Sequence, residues 1–102
     1  MIIQQVSVFL ENRAGRSAEV TKVLAENNID IQAFNIAESS DYGVLRLIVS
    51  NVEAAVVALK RAGLAVSITN VLSVDCPNRP GSLTGILELL AAKGISVEYM
   101  YA

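Results

Sequence analysis

A loop that is written twice constrains this chain more than any other feature. The stretch Glu11-Asn12-Arg13-Ala14-Gly15-Arg16 returns 66 positions later as Pro77-Asn78-Arg79-Pro80-Gly81-Ser82, with no gap on either side. Ser7-Val8 matches Ser73-Val74, Leu24-Ala25 matches Leu90-Ala91, and Ile29 matches Ile95. Val20, Val23 and Ile31 fall on Ile86, Leu89 and Val97, so the apolar skeleton repeats even where identity lapses. Each Asn-Arg-x-Gly follows a β-like run and precedes a helical pattern. The repeat therefore predicts two strand-to-helix loops, where the first-turn N–H groups of a helix lack intrahelical partners and can hold a ligand.

Periodicity places the other elements. Residues 2–10 alternate as a strand, with Val6, Val8 and Leu10 on one face and Gln5, Ser7 and Phe9 on the other. A helix is expected over 16–27, with Val20, Val23, Leu24 and Ser17 at the spacing of one buried stripe and Asn27-Asn28 ending it. Residues 29–38 read as a second strand, with Ile29, Ile31, Ala33 and Asn35 alternating against Asp30, Gln32, Phe34 and Ile36. The turn Ser39-Ser40-Asp41-Tyr42-Gly43 joins it in a hairpin to a third strand over 44–49. Ser50 or Asn51 is expected to cap a helix over 52–62, and Gly63 sits where a C-terminal cap belongs.

A fourth strand follows over 64–68, and only Thr69-Asn70 separates it from residues 71–75, the expected first strand of the repeat. Leu83, Ile86, Leu87 and Leu90 form the next helical stripe, and 95–102 reads as a strand. The fold class is thus α+β: a ferredoxin-like βαββαβ sandwich over residues 1–70, followed over 71–102 by the first half, βαβ, of the same unit. The two strands of such a half are not neighbours in a closed sheet, so half a unit cannot close on itself. Two compatible explanations are expected: a truncated two-module protein, or two chains completing one module between them as a C2 dimer with residues 71–75 paired to their own copy.

Composition narrows the function. With 53% hydrophobic and 18% charged residues, the chain is a folded globule. A net charge of −2 gives no basic footprint for nucleic acid or anionic lipid. No apolar run approaches the ~20 residues of a bilayer span, and the N-terminus lacks the basic flank and apolar core of a signal peptide, so a cytoplasmic location is expected. The single Cys76 excludes an internal disulfide and a multi-cysteine metal site. The absence of histidine removes the commonest general base and metal ligand, so neither an enzyme nor a cofactor is expected.

With element order and loop placed, the chain resembles the ACT-domain family, small regulatory domains that bind amino acids or related metabolites. The resemblance covers 1–70 as a whole module and 71–102 as half of another. Its most specific piece is Glu11-Asn12-Arg13-Ala14-Gly15, an amphipathic helix, then Ile29-Asp30-Ile31, similar to the serine-binding regulatory domain of phosphoglycerate dehydrogenase. That likeness implies that Asn12 and Asp30, and in the repeat Asn78 and Ser96, hold a ligand's polar groups at a domain interface. Leu10 and Cys76 stand where the relative has a histidine, and Asp30 where it has an asparagine. Those departures leave an amino acid, rather than serine in particular, as the implied ligand.

The residues give their own reasons for the same site. Gly15 and Gly81 let backbone N–H groups approach an acceptor, the helix start suits a carboxylate, and Asp30 suits an ammonium. Arg13 and Arg79 either meet an anion or lie solvated, and solvation is the commoner fate of loop arginines. The plain alternative makes Asn12 and Asn78 helix caps and the glycines turn residues. Cys76 is expected to be buried filler, and Tyr99, Met100 and Tyr101 the packed face of a strand. The expected function is a homodimeric sensor of an amino acid or similar metabolite. The alternatives are a ligand-free assembly domain and an acylphosphatase-like hydrolase using Arg13 with Asn12 or Asn35.

Overall fold

The computed structural model describes every residue of the chain except Asn12 and Ser40. Seven elements follow in order: β1 (Ile2–Glu11), α1 (Arg16–Glu26), β2 (Ile31–Glu38), β3 (Tyr42–Val49), α2 (Val52–Arg61), β4 (Ala65–Leu72) and α3 (Ser82–Ala92). The strands form one antiparallel sheet in the order β2-β3-β1-β4, with β1 and β3 at its centre. This is the ferredoxin-like βαββαβ arrangement that the sequence order predicts.

The core lies between the sheet and the two helices α1 and α2. Val6, Val8 and Leu10 of β1 meet Leu45, Leu47 and Val49 of β3 on one face, and Val20, Leu24, Ala55 and Leu59 cover them. Asn51 caps α2, its Oδ1 accepting from the Ala54 N–H at 3.1 Å, while the Ser50 hydroxyl instead accepts from the Asp30 N–H at 2.9 Å. Asn28 at φ 56 and Gly63 at φ 82 end the two helices in left-handed conformation, as the sequence predicts. Ser17 is exposed and adds nothing to the stripe of α1. No helix among the described residues is long and apolar enough to cross a membrane.

Two expectations about strands are corrected. The second strand begins at Ile31, and its alternation breaks at a bulge between Ile31 and Ala33. Ile31 faces Val49, yet Phe34 faces Leu47 and Ile36 faces Leu45, so Phe34 and Ile36 lie on the helix side with Ile31. An extra residue in one strand reverses the facing of all that follow. At this sheet edge the helix layer leaves Phe34 68% exposed.

The second correction concerns the junction of the repeat. Thr69 and Asn70 do not interrupt β4; they pair with Gln5 and Gln4 in a ladder running unbroken from Ala65 opposite Phe9 to Leu72 opposite Ile2. Consecutive pairs of an antiparallel ladder alternate between bonded and non-bonded, so one of the two has its backbone N–H and C=O satisfied by β1, and the unbroken ladder outweighs their turn preference. Val71 and Leu72 therefore close the first sheet instead of opening a second one. Beyond Ser73, whose N–H donates to the Met1 carbonyl at 2.8 Å, residues 73–77 and 95–102 belong to no described strand. Strand backbone needs a neighbour to pair with, and none stands beside them among the described residues. For the same reason Cys76 is exposed rather than buried, and α3 buries no residue.

Among the described residues, side chains hold the C-terminal segment to the sheet. On the face away from the helices, Gln5 is only 1% exposed because Tyr99 and Tyr101 cover it. Gln5 Nε2 donates to the Tyr99 hydroxyl at 3.1 Å and to Ser7 Oγ at 3.0 Å, and the Tyr101 hydroxyl donates to Gln5 Oε1 at 2.7 Å. The Arg46 guanidinium stacks on the Tyr99 ring at 3.8 Å and donates to Asn35 Oδ1 at 3.0 Å. The tyrosines do pack, but onto the first sheet instead of within a strand of their own.

Candidate functional site

β1 carries the chain into the first loop with Leu10 buried and Glu11 paired to Tyr42. The Arg13 N–H donates to the Glu11 carbonyl at 2.9 Å and the Arg16 N–H to the Arg13 carbonyl at 3.4 Å, which tightens the turn. Gly15 then adopts φ 88, ψ −10 as the N-cap of α1, with no side-chain cap hydrogen bond. Only glycine takes that left-handed conformation without strain. A shallow depression of about 250 Å³ opens here, lined by Leu10, Glu11, Arg13, Gly15, Arg16, Ser17, Ile36, Glu38 and Gly43 among others.

Charge of both signs meets at this depression. Arg16 forms an ion pair with Glu19, yet its Nε is buried without a hydrogen-bond partner among the described residues. The positive end of α1 points the same way. Glu11 and Glu38 bring carboxylates to the rim, and Glu11 lies 3.5 Å from Arg13 Nε in an exposed pair. Arg16, Ile36 and Glu38 are site residues that the sequence did not single out as such. Arg16 follows Gly15 directly and was legible as the first helical residue, but the bulge that turns Ile36 toward the loop was not.

The second loop repeats the first bond for bond. The Arg79 N–H donates to the Pro77 carbonyl at 2.8 Å, the Ser82 N–H to the Arg79 carbonyl at 3.2 Å, and Gly81 stands at φ 88, ψ −10. Gly81 is the N-cap of α3 and has no side-chain cap hydrogen bond, so Asn78 does not cap that helix. Asn12 lies outside the described residues.

Not all the expected site residues come together. Arg13 and Gly15 line the depression, but Asp30 sits at the other end of α1, 11 residues long. At about 1.5 Å per residue that end is roughly 16 Å away. Strand register agrees: Glu11 and Glu38 flank the β3 residues Tyr42 and Gly43, whereas Ile31 lies by Val49. Ser96 is separated from Asn78 and Gly81 by the equal length of α3. Asn35, named for the hydrolase alternative, lies on the open sheet face with its Oδ1 bonded to Arg46 and does not join Arg13.

The model of a family described as an ACT domain pair matches residues 1–102. A protein from Bacteroides thetaiotaomicron of known crystal structure is 50% identical, covering 99% of this chain and 70% of its own, with a TM-score of 0.93. The ACT domain of a prephenate dehydrogenase from Bacillus anthracis is 28% identical, covering 62% of this chain and 99% of its own, with a TM-score of 0.55. The ligand-free regulatory subunit of aspartate kinase from Thermus thermophilus covers 100% of this chain and 79% of its own at 16% identity and a TM-score of 0.73, a likeness of fold alone. No curated protein matches the chain by sequence.

Proposed function

The chain belongs to the ACT domain-pair family, and from that premise we propose that it is a regulatory, non-catalytic protein that binds an amino acid or a close relative. In this reading residues 1–70 are one ACT module whose last strand runs on to Leu72, the remainder of 71–102 is the first half of a second, and the protein acts in the cytoplasm as a homodimer.

One observation carries the proposal: the depression at the first loop sets a guanidinium nitrogen with no partner among the described residues, and a helix N-terminus, beside the carboxylates of Glu11 and Glu38. An amino acid bears a carboxylate and an ammonium on the same carbon. Its carboxylate suits the Arg16 Nε and the helix start, where a charge-assisted hydrogen bond is strongest. Its ammonium suits an acidic rim. The volume of about 250 Å³ lies below the roughly 300–1,000 Å³ of pockets for drug-sized ligands, which favours a small metabolite.

Asn12, Arg13 and Gly15 form the first binding loop in this reading, and Asn78 and Gly81 the second. Asp30 and Ser96 contribute from a neighbouring module or copy, since each stands a helix length from its own loop. The test is thermal-shift and calorimetric titration of the chain with each amino acid. A ligand at ~100 times its Kd adds about 2.7 kcal/mol to stability. Asn12→Ala weakens that response more than Lys60→Ala does. No shift with any amino acid defeats the proposal.

A further inference from the structure

We propose that Gly43 is the specificity-determining residue of the first-loop depression, and that the space it leaves takes the side chain of an uncharged aliphatic amino acid. The inference rests on the sensor reading above and names the class of ligand within it. Gly43 stands inside β3, opposite Leu10 of β1 on one side and Glu38 of β2 on the other. The next row on the same face of the sheet is Val8, Leu45 and Ile36. Leu45 lies in the core under the helices, so a side chain at position 43, two residues earlier, would face the helix layer too. It would stand in the depression, whose lining includes Leu10, Ile36, Glu38 and Gly43 itself.

The fold does not require glycine at this position. Gly43 is not at positive φ, unlike Gly15 and Gly81. Its pairing is regular on both sides, and the bulge of β2 lies at the other end of that strand, between Ile31 and Ala33. A Cβ built on Gly43 meets only the Ala37 carbonyl oxygen among the described residues, at 3.7 Å, an ordinary contact. Glycine inside a strand costs stability relative to alanine, so its presence calls for another reason. Where it serves neither a bulge nor a steric need, a strand glycine marks a place where another group comes close to the backbone. Here that group enters from the depression.

The surroundings of the space are aliphatic. Leu10 lies opposite Gly43, and Ile36, 55% exposed, stands in the next row. Ser17, the one uncharged polar side chain among the described lining residues, is exposed on α1 and outside those rows. Charge on the described lining is balanced, Arg13 and Arg16 against Glu11 and Glu38. A zwitterion whose carboxylate meets Arg16 and whose ammonium meets Glu38 keeps that balance. A further charge on its side chain would be set against Leu10 and Ile36 without a partner, and burying an unpaired charge is costly.

The test is calorimetric and thermal-shift titration of the 102-residue chain, Gly43→Ala and Gly43→Val with each amino acid, leucine and glycine being the decisive pair. The parent is expected to bind leucine at least about tenfold more tightly than glycine, since one methylene in an apolar pocket is worth about 10–200-fold. Gly43→Ala, whose Cβ fits, folds with a melting temperature no lower than the parent's and loses part of that preference. Gly43→Val brings the leucine-to-glycine ratio close to one, and if it fails to fold, Gly43→Ala decides alone. A purely structural glycine would not move that ratio at constant melting temperature. An unchanged ratio in the folded variants overturns the role of Gly43. Tighter binding of aspartate or lysine than of leucine, or a response to other amino acids but not to leucine, overturns the aliphatic class and leaves the sensor reading standing. No response to any amino acid overturns both.

Discussion

α1 and α3 begin alike and end in opposite circumstances. Both start at a glycine with φ 88 and ψ −10, both follow the same pair of turn hydrogen bonds, and both run for 11 residues. Yet α1 buries Val20 and Leu24 completely, while α3, whose apolar stripe is the more continuous, buries nothing. Local conformation follows local sequence, because a loop's hydrogen bonds and a glycine's φ are settled within a few residues. Burial does not, because it needs a surface on the other side. α2 and β1 give α1 that surface, and nothing described gives it to α3.

The strongest way to break the comparison is to truncate equivalent leucines. Leu24→Ala removes a fully buried side chain and is expected to cost about 2–5 kcal/mol, with the neighbours relaxing only in part. Leu90→Ala, its repeat equivalent, is expected to leave the unfolding of the β1–β4 unit nearly unchanged, since α3 buries no residue. Urea denaturation of the two variants compares the effects. Equal loss for both would mean that α3 is packed as α1 is.

Next in size come the glycines. A Cβ on Gly15 or Gly81 meets no atom within 4 Å, so an alanine there suffers from its backbone alone. The left-handed conformation costs an L-residue about 1–2 kcal/mol. Gly15→Ala should lower the denaturation midpoint by that amount. Gly81→Ala should reduce helical circular dichroism without moving the midpoint, since α3 contributes nothing to the core.

These contrasts explain how much of the molecule was legible. The order of elements, the Asn51 cap, the left-handed Asn28 and Gly63, and the core stripe Val20-Leu24 are all near-neighbour effects and were readable. The β2 bulge was not, because Gln32 carries no signal that it is the extra residue in a ladder. Nor was the fate of Thr69-Asn70, where pairing to Gln4 and Gln5 outweighs turn preference. Cys76 and the α3 stripe were read as buried on the assumption that an apolar pattern has a partner. At the site, the loop residues were plain, whereas the depression depends on Ile36 and Glu38, brought in by that unread bulge.

A smaller effect separates the anchoring of the two halves. Residues 95–102 depend on Gln5, Arg46, Tyr99 and Tyr101, so Tyr101→Phe, which leaves Gln5 Oε1 without its donor, is expected to cost about 0.5–1.5 kcal/mol. Proteolysis should then cut after Ala92 sooner than in the parent chain. The pH dependence has a definite sign. Burial first, and the neighbouring Tyr99 second, raise the Tyr101 pKa above its ordinary 10.0, against a lowering by Arg46. The folded state thus holds the proton longer than the unfolded one, and stability falls as pH rises from about 10 through the folded value. Tyr101→Phe should flatten that part of the profile, and an unchanged slope would remove Tyr101 as its source.

The smallest expected effect tests the loops themselves. Arg13 has Glu11 at 3.5 Å, but the repeat puts Pro77 in the place of Glu11, so Arg79 has no equivalent partner. Arg13 and Glu11 are both well exposed, and pairs of that kind contribute about 0–1 kcal/mol. Arg13→Ala should therefore shift stability by no more than a few tenths of a kcal/mol at low salt, and by nothing measurable at high salt, where screening removes the attraction. Arg79→Ala should be neutral at either salt, because there is no pair to lose. A larger, salt-independent loss for Arg13→Ala would mean that its guanidinium braces the loop in a way its pairing with Glu11 does not account for. If the two variants instead weaken an amino acid's thermal shift equally while sparing stability, the arginines serve the ligand, and the loops are equivalent in chemistry as well as in backbone.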